Sequence, residues 1–158
     1  MDIYNDEFLS LIKAFEQYHV KYLVVGGFAV NRHGYKRTTG DLDIYLQESL
    51  ENRGNLILAL EEMGYGRFDM LMDVPIVAGY CEILMDNGMY ADLMTEIKGL
   101  NPLDFDTHYE LATIDFVYDI PVRFLHYNQL IESKRATGRN KDLLDIEELE
   151  KIRNRNDH

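Results

Sequence analysis

The segment from residue 41 to residue 46 constrains the fold most, because its polar and apolar residues alternate strictly. The apolar residues fall on one face of an extended strand, whereas Asp41 and Asp43 fall on the other. Aspartate is unfavourable in strands, and two like charges at this spacing repel each other unless a cation lies between them. Mg²⁺ is a natural candidate, since one or two carboxylates can hold it while phosphate oxygens and water complete its octahedron. Two solvated aspartates on an edge strand are the alternative for so short a pattern.

Three nearby features favour the metal-binding interpretation. Gly26 and Gly27 follow an apolar strand and precede a short helix, where missing side chains let a phosphate approach the backbone. The segment 36–39 places two cations and two hydroxyls, including Arg37 and Thr39, just before the aspartates. Asp92 lies within another apolar strand pattern. Taken singly, each feature has a simpler alternative: the two glycines fit a simple turn, segment 36–39 fits a polar loop, and Asp92 fits an outward-facing strand residue.

The remaining pattern predicts helices over 6–19, 28–33 and 50–63, the last capped by Ser49 and ended by Gly64. Strands are predicted over 22–25, 81–85, 89–94, 113–118 and 120–125, with a tight Asn87-Gly88 turn in the first hairpin. Two helices broken at Gly138 follow, and the polar tail 154–158 is expected to fray. The stretch 66–79 is ambiguous. These elements predict an α+β fold, with a mixed central sheet flanked by helices and a C-terminal helical segment.

Length and composition limit the kind of protein. The 158 residues suit a single domain, 1–158, with a core over about 20–125 and C-terminal helices over about 126–154. A net charge of -12 disfavours binding to duplex DNA. The acidic start, MDIYNDEF, does not resemble a secretory signal, and no apolar stretch is long enough to span a bilayer. The single cysteine, Cys81, excludes an internal disulfide. We therefore expect a soluble cytoplasmic protein without a membrane partner.

The order of these motifs resembles that of the polymerase-beta-like nucleotidyltransferase superfamily. Val24-Val25-Gly26-Gly27, thirteen further residues, Asp41-Leu42-Asp43 and later Asp92 match its signature of a strand, a glycine turn, Asp-x-Asp and a third acidic residue. Downstream, residues 130–136 and 138–145 resemble the ends of minimal bacterial nucleotidyltransferases, a group with antibiotic-modifying enzymes and abortive-infection toxins. The resemblance spans about residues 20–150. Gly27 replaces the serine often found in polymerases, which puts a hydroxyl contact to phosphate in doubt.

The resemblance implies transfer of a nucleoside monophosphate from a nucleoside triphosphate, such as ATP, to an unknown acceptor hydroxyl, with release of pyrophosphate. The acceptor can be a small molecule, a protein or an RNA end. Asp41, Asp43 and Asp92 would be the catalytic carboxylates and would bind two Mg²⁺ ions. Gly26 and Gly27 would present backbone N–H groups to the phosphates.

The roles of several further residues near the site stay open at this stage. Arg37, Thr39, Lys134 and Lys141 are candidate nucleotide-binding residues, although basic residues near helix ends also favour the helix dipole. Asp142 and Asp145 are expected to pair with Lys141 or to cap the last helix. The histidines show no metal-binding spacing, and Cys81 has no catalytic partner motif.

Two questions about assembly stay open at this stage. A homodimer is compatible with so small a fold, which by itself makes only half a cleft. The alternative function is a non-catalytic nucleotidyltransferase-fold partner in a toxin–antitoxin or regulatory complex.

Overall fold

The computed structural model describes residues 6–73 and 80–157, without the side chain of Tyr80. Part of the ambiguous stretch, residues 74–79, therefore lies outside the described residues. The six helices of this part are α1 (Asp6–Gln17), α2 (Gly26–Arg32), α3 (Leu50–Glu62), α4 (Phe105–Glu110), α5 (Tyr127–Thr137) and α6 (Asn140–Asn156). Its six strands are β1 (Tyr22–Val25), β2 (Leu42–Leu46), β3 (Tyr80–Leu84), β4 (Tyr90–Met94), β5 (Thr113–Val117) and β6 (Ile120–Phe124).

All six strands form one mixed sheet in the order β3-β4-β2-β1-β6-β5. The neighbours β1 and β2 are antiparallel, as are the hairpin pairs β3/β4 and β5/β6. The pairs β1/β6 and β2/β4 are parallel. The predicted α+β fold with a mixed central sheet and a C-terminal helical segment is confirmed.

The core lies between the centre of the sheet and the helices. All four residues of β1 are buried, because this strand has neighbours on both sides and apolar side chains on both faces. The apolar stripe of α1, with Phe8, Leu11, Ile12 and Phe15, is fully buried as its helical spacing predicts. Central β1 leads directly into the Gly26-Gly27 turn, and its neighbour β2 carries Asp43.

Several local predictions are confirmed by backbone details. Ser49 caps α3, because its Oγ accepts a hydrogen bond from the Asn52 backbone N–H at 3.1 Å. The β3–β4 hairpin turns at Gly88, whose φ of +83° is the left-handed conformation that glycine adopts readily. Gly138 ends α5 with a φ of +63°.

Most strand and helix ends differ from the prediction by one or two residues, and three differences bear on the description of the fold. Helix α2 begins at Gly26 rather than Phe28, and the short helix α4 was not predicted. The expected frayed tail is wrong up to Asn156, because α6 continues to that residue. Arg153 stabilises this last part by lying over the Tyr127 ring at 4.6 Å and donating a hydrogen bond to Asn128. In the described residues, no helix is both long and apolar enough to cross a membrane.

Candidate functional site

Two aspartates meet at the centre of the site because β2 and β4 run parallel and in register. Asp43 of β2 is paired directly with Asp92 of β4, so both side chains leave the same face of the sheet. Asp92 is buried, and its Oδ1 has no hydrogen-bond partner in the described structure. When two carboxylates are buried side by side, the pKa of one of them is strongly raised.

The group with the raised pKa is Asp43. Burial, followed by the charge and hydrogen bond of Asp92 and the charge of Asp41, raises the pKa of Asp43 from its ordinary 3.8 to about 7. The positive charge of Lys141 acts in the opposite direction. Near neutral pH, the pair of Asp43 and Asp92 therefore retains a proton or requires a cation to be fully ionised.

Asp41 lies at the exposed rim, just before β2, and lines the same cavity as Asp43 and Asp92. Among the residues that the structure describes, no three Asp, Glu, His or Cys side chains are grouped so that they could hold a metal ion by themselves. The binding of Mg²⁺ by Asp41, Asp43 and Asp92 therefore stays a prediction. It is compatible with this arrangement if phosphate oxygens and water supply the remaining ligands.

The glycine turn lies directly against these carboxylates. Gly26 has a φ of +64°, and a Cβ built on it would come within 2.9 Å of the Asp43 Cγ. A Cβ on Gly27 would overlap the side chain of Thr39, lying 2.7 Å from its Cβ. Both positions therefore require glycine for close approach of neighbouring side chains, a reason that the sequence interpretation did not include.

All nine predicted site residues line one cavity of about 480 Å³: Gly26, Gly27, Arg37, Thr39, Asp41, Asp43, Asp92, Lys134 and Lys141. Asp41, Asp43 and Asp92 come from the residue before β2, from β2 and from β4, whereas the cations come from the loop after α2, from α5 and from the start of α6 with the residue before it. The wall also contains Ser133, Thr137, Arg139 and Asp142. The cavity thus has an acidic side, formed by the sheet, and a basic side, formed largely by the C-terminal helices.

The basic side is organised by an ion cluster of five residues: Arg37, Lys134, Arg139, Asp142 and Asp145. Asp142 and Asp145 are both 1% exposed. The Lys134 Nζ lies 3.3 Å from Asp142 Oδ1 and 2.9 Å from Asp145 Oδ2. Arg37 binds Asp145 through two hydrogen bonds, and Arg139 binds Asp142 in the same way. Lys134 is therefore neutralised by carboxylates behind the cavity wall.

The acidity of Asp142 reflects these partners. Burial alone would raise its pKa, but hydrogen bonds from Arg139 and Thr137, together with the charge and hydrogen bond of Lys134, lower it to about 2. Asp142 is thus a carboxylate that stays ionised well below neutral pH.

Lys141 differs from the other cations of the cavity. It is exposed, and none of the ion pairs within residues 6–73 and 80–157 involves it. Its predicted pairing with Asp142 or Asp145 is wrong, because Lys134, Arg37 and Arg139 occupy these carboxylates. Lys141 is therefore the cation best placed to meet an added anion.

Sequence reasoning missed the structural importance of Asp142 and Asp145. The signal was present, since both share a helical face with Ile146 and Leu149, which are buried. Leu143 of the same helix, by contrast, is 50% exposed.

No protein-family model matches this chain, and no curated protein is similar to it in sequence. Among solved structures, the chain is similar to the lincomycin-bound lincosamide antibiotic adenylyltransferase LnuA, with a TM-score of 0.62 and 19% sequence identity. The match covers 94% of this chain and 97% of that one. Together with the mixed six-stranded sheet, this similarity shows that the chain has a nucleotidyltransferase fold.

Proposed function

We propose that this protein is a metal-dependent nucleotidyltransferase, which moves a nucleoside monophosphate from a nucleoside triphosphate to an acceptor hydroxyl. The observation that carries the proposal is the pair of Asp43 and Asp92, two adjacent carboxylates beside a tight glycine turn. The fold supports it, since the similar structure named above is an adenylyltransferase. Whether the acceptor is an antibiotic, another small molecule, a protein or an RNA end is a matter for experiment.

The donor set fits Mg²⁺. Carboxylate oxygens are its preferred protein ligands, and Asp92 Oδ1 lacks a hydrogen-bond partner among the described residues. The pKa of Asp43 is raised first by burial and then by the negative charges of Asp92 and Asp41, which a bound cation would offset. Asp43 and Asp92, with Asp41 at the rim, would hold one or two ions. Bound Mg²⁺ neutralises triphosphate oxygens and favours ionisation of an acceptor hydroxyl. This activity requires a compartment that supplies nucleoside triphosphates, as the cytoplasm does.

The protein's own groups favour one orientation of the triphosphate. Arg37, Arg139 and Lys141 line the cavity together with the aspartates and supply positive charge. Charge complementarity supports an orientation in which the β- and γ-phosphates face these cations and the α-phosphate faces the aspartates. Gly26 and Gly27 leave room for the phosphates to approach the backbone between the two sides.

The transfer itself is a displacement at the α-phosphorus. The acceptor oxygen forms a bond to this phosphorus, and the bond from the phosphorus to the bridging oxygen of pyrophosphate breaks. The hydroxyl proton passes to a carboxylate, for which Asp92 Oδ1 is the candidate because it has no hydrogen-bond partner. Lys141 would stabilise the charge that develops on the leaving pyrophosphate.

The test measures the melting temperature with Mg²⁺ and each of the four nucleoside triphosphates. We expect at least one to raise it, because a ligand that binds only the folded state stabilises that state. Asp43→Asn should abolish the increase, whereas Asp69→Asn, at an exposed surface pair with Arg67, should retain it. The absence of any increase with all four nucleotides would contradict the proposal.

Labelled nucleotides then identify the acceptor. They are incubated with the protein and aminoglycosides, lincosamides, tRNA or host lysate, and the labelled product is identified. Nucleotide binding without transfer to any of these acceptors would favour the alternative function, a non-catalytic partner in a toxin–antitoxin or regulatory complex. Measuring the oligomeric state in the same preparation shows whether the protein forms a homodimer.

A further inference from the structure

Asp145 connects the two walls that form the basic side of the cavity. It is a buried carboxylate on α6, yet its strongest partner, Arg37, belongs to the loop before β2. The Arg37 Nε donates to Oδ1 at 2.8 Å, and Nη2 donates to Oδ2 at 3.0 Å. This forked contact fixes the plane of the guanidinium group as well as its position.

A count of donors shows what Arg37 can still bind. A guanidinium group has five N–H bonds, of which Asp145 uses two. A third, on Nη1, donates to the Thr38 carbonyl at 3.2 Å. Among the contacts of the described residues, the two N–H groups that remain lie on Nη1 and Nη2. Nη1 is 3.3 Å from the position of a Cβ on Gly27, so this end of the guanidinium group lies beside the glycine turn.

Lys134 differs from Arg37 in its burial and in how closely carboxylates surround its charge. Its ammonium group is buried between Asp142 and Asp145, and only 6% of the residue is exposed. Removing it from both carboxylates to meet a phosphate would leave two buried charges short of a partner, which is costly. Its place in the ion cluster therefore favours a structural role, in which it holds the two aspartates where Arg37 and Arg139 meet them.

We propose that Asp145 is a positioning residue for the triphosphate: it holds the Arg37 guanidinium so that its remaining donors face a phosphate at the glycine turn. The inference rests on the proposed function, because it assumes that a triphosphate occupies this cavity. It assigns phosphate contact to Arg37 and denies it to Lys134, although both line the cavity and both carry a positive charge.

The test is calorimetric titration of the full chain with inorganic tripolyphosphate in the presence of Mg²⁺, which avoids dependence on the base. We expect Arg37→Gln and Asp145→Asn each to weaken binding about tenfold, and the double variant to bind no more weakly than either. Arg37→Lys should weaken binding as much as Arg37→Gln, because lysine keeps the charge but cannot bridge Asp145 and a phosphate.

Glu150→Gln is the matched control. Glu150 also lies on α6 and pairs with an α5 cation, Arg135, but both groups are exposed and lie outside the cavity. This variant should bind tripolyphosphate like the unmodified protein. Urea unfolding of every variant shows whether it is folded at the titration temperature.

The outcomes separate the two proposals. If the unmodified protein does not bind tripolyphosphate, the proposed function fails and the inference fails with it. If the protein binds but the effects of Arg37→Gln and Asp145→Asn multiply in the double variant, only the positioning role is overturned. If Asp145→Asn does not fold, Arg37→Lys decides, because binding equal to that of the unmodified protein would refute the need for a forked contact.

Discussion

The raised pKa of Asp43 predicts that replacing this residue stabilises the metal-free protein. In the folded state its carboxyl group titrates at about 7 instead of 3.8. The folded protein therefore binds more protons than the unfolded chain between these values, so its stability falls as the pH rises from about 4 to about 7. About three pH units at about 1.4 kcal/mol each give an upper limit of about 4 kcal/mol.

Asp43→Asn removes this charge but keeps a side chain of the same shape, whose amide can donate a hydrogen bond to Asp92. Without metal, we expect the variant to exceed the unmodified protein in unfolding free energy by about 2–4 kcal/mol near pH 8. The difference should vanish near pH 4, where Asp43 of the folded protein is protonated. Mg²⁺ should stabilise the unmodified protein near pH 8 but not the variant.

Urea unfolding in EDTA, repeated at intervals from about pH 4 to about pH 9, measures both quantities. Asp69→Asn is the control, because Asp69 forms an exposed pair with Arg67 and its loss should change stability by no more than about 1 kcal/mol at any pH. An unfolding free energy for Asp43→Asn that is lower than that of the unmodified protein near pH 8 would refute the reasoning. It would mean that the ionised Asp43 side chain stabilises the metal-free fold instead of destabilising it.

Three further predictions concern the neighbouring groups. Gly26→Ala should lower the unfolding free energy by at least about 1–2 kcal/mol, because alanine is strained at the positive φ of this position and its Cβ would displace the Asp43 side chain. It should also weaken the binding of Mg²⁺-nucleotide in calorimetry, and unchanged binding would contradict this reasoning. Lys134→Met should lower the unfolding free energy by about 3–5 kcal/mol in urea unfolding, because it leaves buried carboxylates short of a partner. Lys141→Met should change the unfolding free energy by less than about 0.5 kcal/mol but should weaken nucleotide binding. Asp142, whose pKa is about 2, should contribute stability that is lost as the pH falls from about 4 to about 2, and Asp142→Asn should flatten this part of the acid-unfolding curve.

The individual strands and the orientation of Asp43 on its strand could be predicted because local patterns determine them. Alternation placed Asp43 on one face of its strand, and the Asn87-Gly88 turn indicated the β3–β4 hairpin. The direct pairing of Asp43 with Asp92 could not be obtained in this way, since it depends on the parallel register of β2 and β4. Strand order and register are set by packing over the whole chain, which no single segment encodes.

The ion cluster was less predictable for a physical reason. Charged residues on a helix are usually exposed, so Asp142 and Asp145 were interpreted as local partners of Lys141 or as caps. Their burial depends on Arg139 at the start of the same helix and on two cations from other elements, Lys134 of α5 and Arg37, which is 108 residues away from Asp145 in sequence. A buried carboxylate is tolerated only when such partners are present, and their presence is a property of the tertiary structure.

The distribution of charge explains how a chain with a net charge of -12 can receive a polyanion. Two of the acidic residues near the cavity, Asp142 in its wall and Asp145 behind it, are buried and paired with cations, so they contribute little repulsion. The other three, Asp41, Asp43 and Asp92, line the cavity itself and would repel a bare triphosphate. A divalent cation removes that repulsion, which the positive charge of Lys141 offsets only in part. Nucleotide affinity should therefore depend steeply on Mg²⁺, and this dependence should be carried by the aspartates of the sheet rather than by the ion cluster.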